Sequence, residues 1–236
     1  MITIDTVENT TIWSFPNRGN WSNHKGDYPG NWSPHVPKNI ILRYSKEGDM
    51  VLDQFVGSGT TLIEAKRLNR RCIGSDINEN ALNICKQRIK ENNDIFIKKQ
   101  DARNLRVLKD ESIDLICTHP PYSDVVKYSE NIKCDISLLQ LEEFYREMEL
   151  VAKSSYRVLK HRKYCAILMG DKRKKGLIEP IGFNTMNIFL NVGFKLKEIV
   201  IKEQHNCRNT DKWKQISVER NFLLIAHEYL FVFIKD

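Results

Sequence analysis

Two apolar periods alternate along most of the chain. "MVLDQF" (50–55), "RCIGSD" (71–76), "IFIKKQD" (95–101), "SIDLICTH" (112–119) and "YCAILMG" (164–170) are short apolar runs of strand length. Between them, "TTLIEAKRLN" (60–69), "ENALNICKQRIKEN" (79–92) and "LLQLEEFYREMELVAKSSYRVL" (138–159) repeat their apolar residues at helical spacing, with Leu82, Cys85 and Ile89 on one face of the second. A further helix is predicted at "GFNTMNIFLNVG" (182–193), followed by strands "FKLKEIVIKEQ" (194–204) and "EYLFVFIK" (228–235). Strands separated by helices require right-handed crossovers and a mostly parallel sheet covered on both faces, so the pattern predicts an α/β, Rossmann-like architecture. No helical pattern separates the last two strands, which predicts an antiparallel pair at the edge.

The first 45 residues break this rhythm. "WSFPNRGNWSNHKGDYPGNWSPHVP" is rich in Trp, Pro, Gly and Asn, has no regular period, and holds Trp13, Trp21 and Trp32, three of the four tryptophans. Two readings stand: a strap whose aromatics plug the side of the core, or an arm whose aromatics, with Arg18, His24 and Lys25, reach a ligand. With 236 residues, one domain is expected, the arm at 1–45 and an α/β core at 46–236.

Composition narrows the classes. No uncharged apolar run approaches the length of a membrane span, and "MITIDTVENTTIW" has neither a basic nor an apolar export region, so a cytoplasmic, non-membrane protein is expected. The six cysteines form no C-x-x-C pair, which argues against a zinc knuckle or a disulfide framework; no metal is expected. Lys and Arg outnumber Asp and Glu by 37 to 30, a net charge of +7 that favours a polyanionic partner.

In open α/β sheets ligands bind beyond the carboxyl ends of the strands. The first strand ends in "DQFVGSGTT", where Gly57 and Gly59 allow backbone amides to approach a ligand; Leu62 stands where a dinucleotide fingerprint has its third glycine. The second ends at Asp76, nineteen residues past Gly57, the spacing at which a carboxylate meets ribose hydroxyls. The third ends in "QDARNL", which places Asp101 near a nucleobase edge, and the fourth in His119-Pro120-Pro121-Tyr122. Two prolines remove ladder donors and leave a carbonyl free to hold an external amine, while a Tyr ring offers a face to a planar base.

These four segments, in this order and at strand ends, resemble the amino-methyltransferases, S-adenosylmethionine-dependent DNA enzymes that modify cytosine N4 or adenine N6. "GNWSPHVPKNIILRYSKEGDMVL" resembles the segment that closes over the methionine moiety, so the likeness runs from about Pro29 to the final strand. It implies a class I methyltransferase fold of seven mostly parallel strands with an antiparallel edge strand. It implies cofactor contacts from Asp53, Phe55, Gly57, Ser58, Gly59, Thr60, Asp76, Asp101 and Ala102, with Pro34, His35 and Pro37 lining the pocket from the arm. It implies that His119, Pro120, Pro121 and Tyr122 hold a base flipped from DNA. For nucleic acid, the candidates are Lys172, Arg173, Lys174 and Lys175 in "GDKRKKG", and Arg208, Lys212 and Trp213, with His205, in "QHNCRNTDKWKQISVERN". A homodimer and a separately acting cognate restriction endonuclease are compatible with the resemblance.

Two positions depart from the family. Gln54 replaces the usual proline, and His119 stands where Asp or Asn (adenine) or Ser (cytosine) is typical. A neutral imidazole accepts one hydrogen bond and an imidazolium none. Thr118 resembles the context of the cytosine enzymes and tilts the reading to cytosine N4. The alternatives are an RNA amino-methyltransferase and a non-catalytic S-adenosylmethionine-binding relative. A C5-cytosine enzyme is disfavoured because no Pro-Cys nucleophile segment occurs.

Overall fold

The computed structural model describes residues 7–130, 132, 134–206 and 210–236. In chain order its elements are β1 (Ile12–Trp13), α1 (His35–Tyr44), β2 (Met50–Asp53), α2 (Thr60–Arg67), β3 (Arg71–Asp76), α3 (Glu79–Arg88), β4 (Ile95–Lys99), β5 (Ile113–Thr118), α4 (Leu141–Val158), β6 (Leu159–Met169), β7 (Lys172–Lys174), β8 (Leu177–Glu179), α5 (Ile181–Val192), β9 (Lys195–Glu203), α6 (Thr210–Glu219) and β10 (His227–Ile234). The main sheet runs β1-β9-β10-β6-β5-β2-β3-β4. It is parallel from β6 through β4, whereas β10 is antiparallel to both β6 and β9.

The central strands are apolar on both sides because both faces are covered. Val51, Leu115, Cys117, Ala166, Leu168, Leu230 and Val232 point into one core with α1, α2 and α3. Their neighbours Leu52, Ile116, Cys165, Ile167, Phe231 and Phe233 point into the other with α4 and α5. In α4, Phe144, Met148, Val151, Ala152, Ser155 and Val158 make a single buried stripe at helical spacing.

The structure adds to the expected architecture. The sheet has eight strands rather than seven, because Ile12 and Trp13 of the arm pair with Ile201 and Lys202. The antiparallel strand β10 lies inside that end of the sheet, between β6 and β9. The segment joining β9 to β10, expected to lack a helix, contains α6, which buries no residue and so carries no core periodicity. "DKRKKGLIE" forms the hairpin β7–β8. Helix α1 was hidden by Pro37, yet a proline in a first turn loses no helical hydrogen bond, and Val36, Ile40 and Ile41 bury one face.

The arm is a strap over much of its length. Trp13 and Trp32 are buried. Glu64 of α2, fully buried, accepts from Trp21 Nε1 at 2.8 Å, lies 2.6 Å from His24 Nε2 and pairs with Arg67 at 2.8 Å. Burial pushes the Glu64 carboxyl up, but these donors outweigh it and hold the group below its usual range. Arg18 donates to the Asn31 and Lys25 carbonyls and ties the arm to itself. Among the described residues no helix is long and apolar enough to cross a membrane.

Removing the Glu64 carboxylate strands buried donors on the arm. Glu64→Ala is expected to cost about 2–4 kcal/mol, read as a lower urea midpoint, and an unchanged midpoint would contradict this account of the strap.

Candidate active site

Strand order reverses between β2 and β5, and two cavities open beyond their carboxyl ends. The first is walled by the β2–α2 loop (Asp53 to Ser58, and Thr60), by Asp76 to Asn78, by Gln100 to Arg103, and by Tyr28 to Trp32 of the arm. The second is walled by His119 to Tyr122, Val125, Val126, Gln204, His205 and Glu228. Gly30, Asn31, Trp32, His119, Pro121 and Tyr128 belong to both walls, so the cavities adjoin there.

Asp53 holds this corner together. Its Oδ1 accepts from the Phe55 amide at 3.1 Å and from Thr118 Oγ1 at 2.7 Å, and its Oδ2 accepts from Thr61 Oγ1 at 2.5 Å. The carboxylate thus joins the ends of β2 and β5 to the start of α2. Asp76 accepts from the Gly57 amide at 3.0 Å and the Asn78 amide at 2.9 Å, fixing the glycine loop against β3. Burial pushes both Asp53 and Asp76 up to about 6. Two glycines shape the loop. Gly59 has φ 91°, and a Cβ there would lie 2.7 Å from Cys85 Sγ; Gly57 has φ 48° beneath the Tyr28 ring.

Asp101 lines the cavity but is paired with Arg103, whose Nε lies 2.9 Å from Oδ1 and whose Nη1 reaches Glu147. Its neighbour Gln100 was not singled out from sequence. Both amide atoms of Gln100 are buried without a hydrogen-bond partner among the described residues, as is Ser58 Oγ. Buried polar groups on a cavity wall with no internal partner are groups that a polar ligand satisfies.

The catalytic-loop candidates meet at the shared wall. His119 stacks on Trp32 with centroids 5.3 Å apart and planes at 25°. His119 Nε2 lies 2.5 Å from Tyr122 Oη, and Tyr122 Oη donates to Glu228 Oε1 at 2.8 Å. Lys202 Nζ donates to Glu228 Oε2 at 2.9 Å. Burial draws the His119 imidazole down to about 4, against the pull of Glu228, and pushes the Tyr122 phenol up. A Cβ at Gly170 would come within 2.6 Å of the Tyr122 ring, so only glycine leaves room for it.

Other sequence-predicted residues are placed differently. Pro34 and Pro37 are buried in the first turn of α1, and His35 stacks on Phe15 at 4.8 Å; none of the three lines either cavity, which the arm reaches instead through Tyr28 to Trp32. His35 is held between Phe15 and the Trp21 ring of the arm, 4.6 Å away. Gly59 shapes the loop without lining the cavity. Lys172 is consumed by Asp124 and by Glu179 at 3.1 Å, and Lys174 lies 3.9 Å from Glu179. Arg173 donates to the Gly176 and Leu223 carbonyls and lies over Phe222. Lys175 and Lys212 are exposed and Trp213 is half-exposed; Arg208 lies outside the described residues. Gln54, in place of the family's proline, donates to Ser155 Oγ at 2.9 Å and links β2 to α4.

A family model described as DNA methylase matches residues 3–87, and one described as methyltransferase domain matches residues 51–161. The chain is a relative of the DNA amino-methyltransferases. The chain is 45% identical over 69 residues to the Type II methyltransferase M2.DpnII of Streptococcus pneumoniae, covering 29% of this chain and 26% of that protein. To the tRNA (guanine(10)-N2)-dimethyltransferase of Methanothermobacter thermautotrophicus it is 37% identical over 98 residues, 40% of this chain and 29% of that one. It thus spans between a quarter and a third of the length of these relatives. The crystal structure of TrmN from Thermus thermophilus superposes with a TM-score of 0.59 at 18% identity, covering 88% of this chain and 50% of that chain, and shows the shared methyltransferase fold.

S-adenosylmethionine is the cofactor of a methyltransferase of this fold, and the first cavity fits it. The carboxylate of Asp76, the orphaned Gln100 amide and the Ser58 hydroxyl are the groups that would hold it.

Two outcomes are expected. Gln100→Leu weakens S-adenosylmethionine binding by roughly tenfold in calorimetry without lowering the thermal midpoint. The Asp53 and Asp76 carboxyls, followed by carbon NMR in the unliganded chain, titrate near 6. Because both lie above the ordinary carboxylate value, the stability they contribute is present below about pH 4 and is lost as pH rises through 6.

Proposed function

We propose that the chain transfers a methyl group from S-adenosylmethionine to the exocyclic amine of a base flipped from DNA, with cytosine N4 the first candidate and adenine N6 the second. The observation that carries this reading is the junction of the two cavities: the site at the glycine loop and a second cleft share His119, Pro121 and Trp32 as a common wall. A reacting pair must approach to about 3 Å in line, and adjoining pockets supply that proximity. When bound, the cofactor supplies an electrophilic methyl group on a sulfonium.

The chain's own residues then orient the amine. Pro120 and Pro121 donate no backbone hydrogen bond, so a carbonyl of their turn is the second acceptor for it, and the neutral imidazole of His119 accepts one of its N–H groups. Held between these acceptors, the amine loses planarity and presents its lone pair. With an imidazole drawn down to about 4, His119 acts by hydrogen bonding rather than by removing a proton beforehand, and the proton that the methylated amine sheds after transfer passes to solvent. Trp32 and Tyr122 give aromatic walls to the second cleft, which suits a planar base. Thr118 supports the cytosine reading only through its place in the motif, since its hydroxyl donates to Asp53 and lines neither cavity.

Lys175, Lys212 and Trp213 are the exposed groups of the two predicted surfaces that remain available to phosphates and bases. One observation favours an RNA substrate as the second reading: the match to a tRNA guanine-N2 enzyme.

Incubation with labelled S-adenosylmethionine and unmethylated DNA or RNA, followed by nucleoside mass spectrometry, is expected to yield N4-methylcytosine in DNA. N6-methyladenine would keep the reaction and change the base; label in RNA alone would move the assignment to the second reading, and none in either would defeat it. With saturating S-adenosylmethionine, activity is expected to be level from pH 6 to 8 and to fall below about 5, as the imidazole protonates near 4 and can no longer accept, while the KM for S-adenosylmethionine rises as pH falls through 6, where Asp76 protonates.

A further inference from the structure

Glu228 stands at the start of β10, and because β10 is antiparallel, that start lies at the edge where the parallel strands end; Tyr229 is in register with Met169 at the end of β6. Glu228 is also in register with Lys202 of β9, whose ammonium takes one carboxylate oxygen, leaving the other to Tyr122. A carboxylate can only accept, so the single phenolic proton of Tyr122 is committed to Glu228. Tyr122 Oη, 2.5 Å from His119 Nε2, then has only lone pairs to offer, and the proton in that contact belongs to Nε2. Neutral imidazole with hydrogen on Nε2 has its free lone pair on Nδ1.

We propose that Glu228, charge-balanced by Lys202 and acting through Tyr122, is the positioning residue that sets the tautomer of His119, so that Nδ1 carries the lone pair that accepts the target amine. The amine's part rests on the functional reading above; the tautomer does not. The stack of His119 on Trp32 restrains the ring so that this lone pair keeps one direction. Glu228 lines the second cleft and not the first, so its effect falls on the amine side of the reaction and leaves the cofactor side alone.

Glu228→Gln tests this with little change in shape. Lys202 keeps the amide oxygen, the amide nitrogen faces Tyr122 and donates to it, and the phenolic proton turns toward His119 Nε2. The imidazole hydrogen then moves to Nδ1, and the acceptor becomes a donor. Nitrogen NMR of histidine-labelled protein, with the His119 signals assigned by their loss in His119→Asn, is expected to show hydrogen on Nε2 in the wild type and on Nδ1 in Glu228→Gln. In the methylation assay kcat is expected to fall by about 100-fold with the KM for S-adenosylmethionine unchanged. Tyr122→Phe is the second variant; it leaves the Glu228–Lys202 pair intact and is expected to give a mixture of tautomers. Hydrogen on Nδ1 in the wild type, or an unchanged tautomer in both variants, would overturn the proposal. A wild-type chain that methylates nothing would sink the functional reading and the amine's part with it, while the spectra would still decide whether Glu228 sets the tautomer.

Discussion

The candidate site depends on one buried carboxylate. Asp53 is 2% exposed and accepts from Phe55, Thr61 and Thr118, residues on the glycine loop, on α2 and on the strand that leads to His119. Burying a charge is costly unless it is paired or hydrogen-bonded. Here the hydrogen bonds that offset that cost are the ones that hold two strand ends in register. The loop facing the first cavity and the turn facing the second are therefore placed by the same side chain, whose high carboxyl pKa reflects how little water reaches it.

The arm completes what the sheet begins. Glu64 anchors Trp21 and His24 from inside α2, and Thr60 Oγ1 donates to Asn31 Oδ1 at 2.5 Å beside the glycine loop. A segment whose described residues before α1 have only the two-residue strand β1 as regular structure is held by these contacts, and it brings Tyr28, Asn31 and Trp32 to the cavity walls. Tyr28 stacks on Tyr128 from the other side, and Gly30, with φ 68°, passes beneath the Tyr128 hydroxyl where a Cβ would not fit. Trp13 and Trp21 serve as strap and Trp32 lines both cavities, whereas Arg18, His24 and Lys25, expected to reach a ligand, line neither.

The buried network behind His119 shows why a histidine can occupy this position. Asp, Asn and Ser side chains are short acceptors, whereas an imidazole brings a donor as well and must have its hydrogen directed elsewhere. Tyr122, Glu228 and Lys202 form a chain that does this within the sheet, and Gly170 gives the Tyr122 ring its space. The charge of Glu228 is tolerated there because Lys202 sits opposite it in the ladder.

Local chemistry alone was enough to read the alternation of β2 through β6 with their helices, the glycine turn after β2, the carboxylates at the ends of β3 and β4, and the Pro-Pro turn after β5. Periodicity and backbone-restricting residues act within a few positions, so they are visible in a linear string. Contacts between distant segments are not. Pro34, His35 and Pro37 lie beside Trp32 in sequence, but the helix they begin turns them away from the cavity. Lys172 looked free until Asp124 and Glu179 were brought to it. Glu228 begins a strand that runs the other way, so it is not among the residues at strand carboxyl ends, although a lone carboxylate at the start of an apolar run, "HEYLFVFI", is a signal for it. The sequence by itself determined the elements and the chemistry offered at the strand ends; only the tertiary structure decided which of those groups were already spoken for, because hydrogen bonds and ion pairs are assigned by proximity in space.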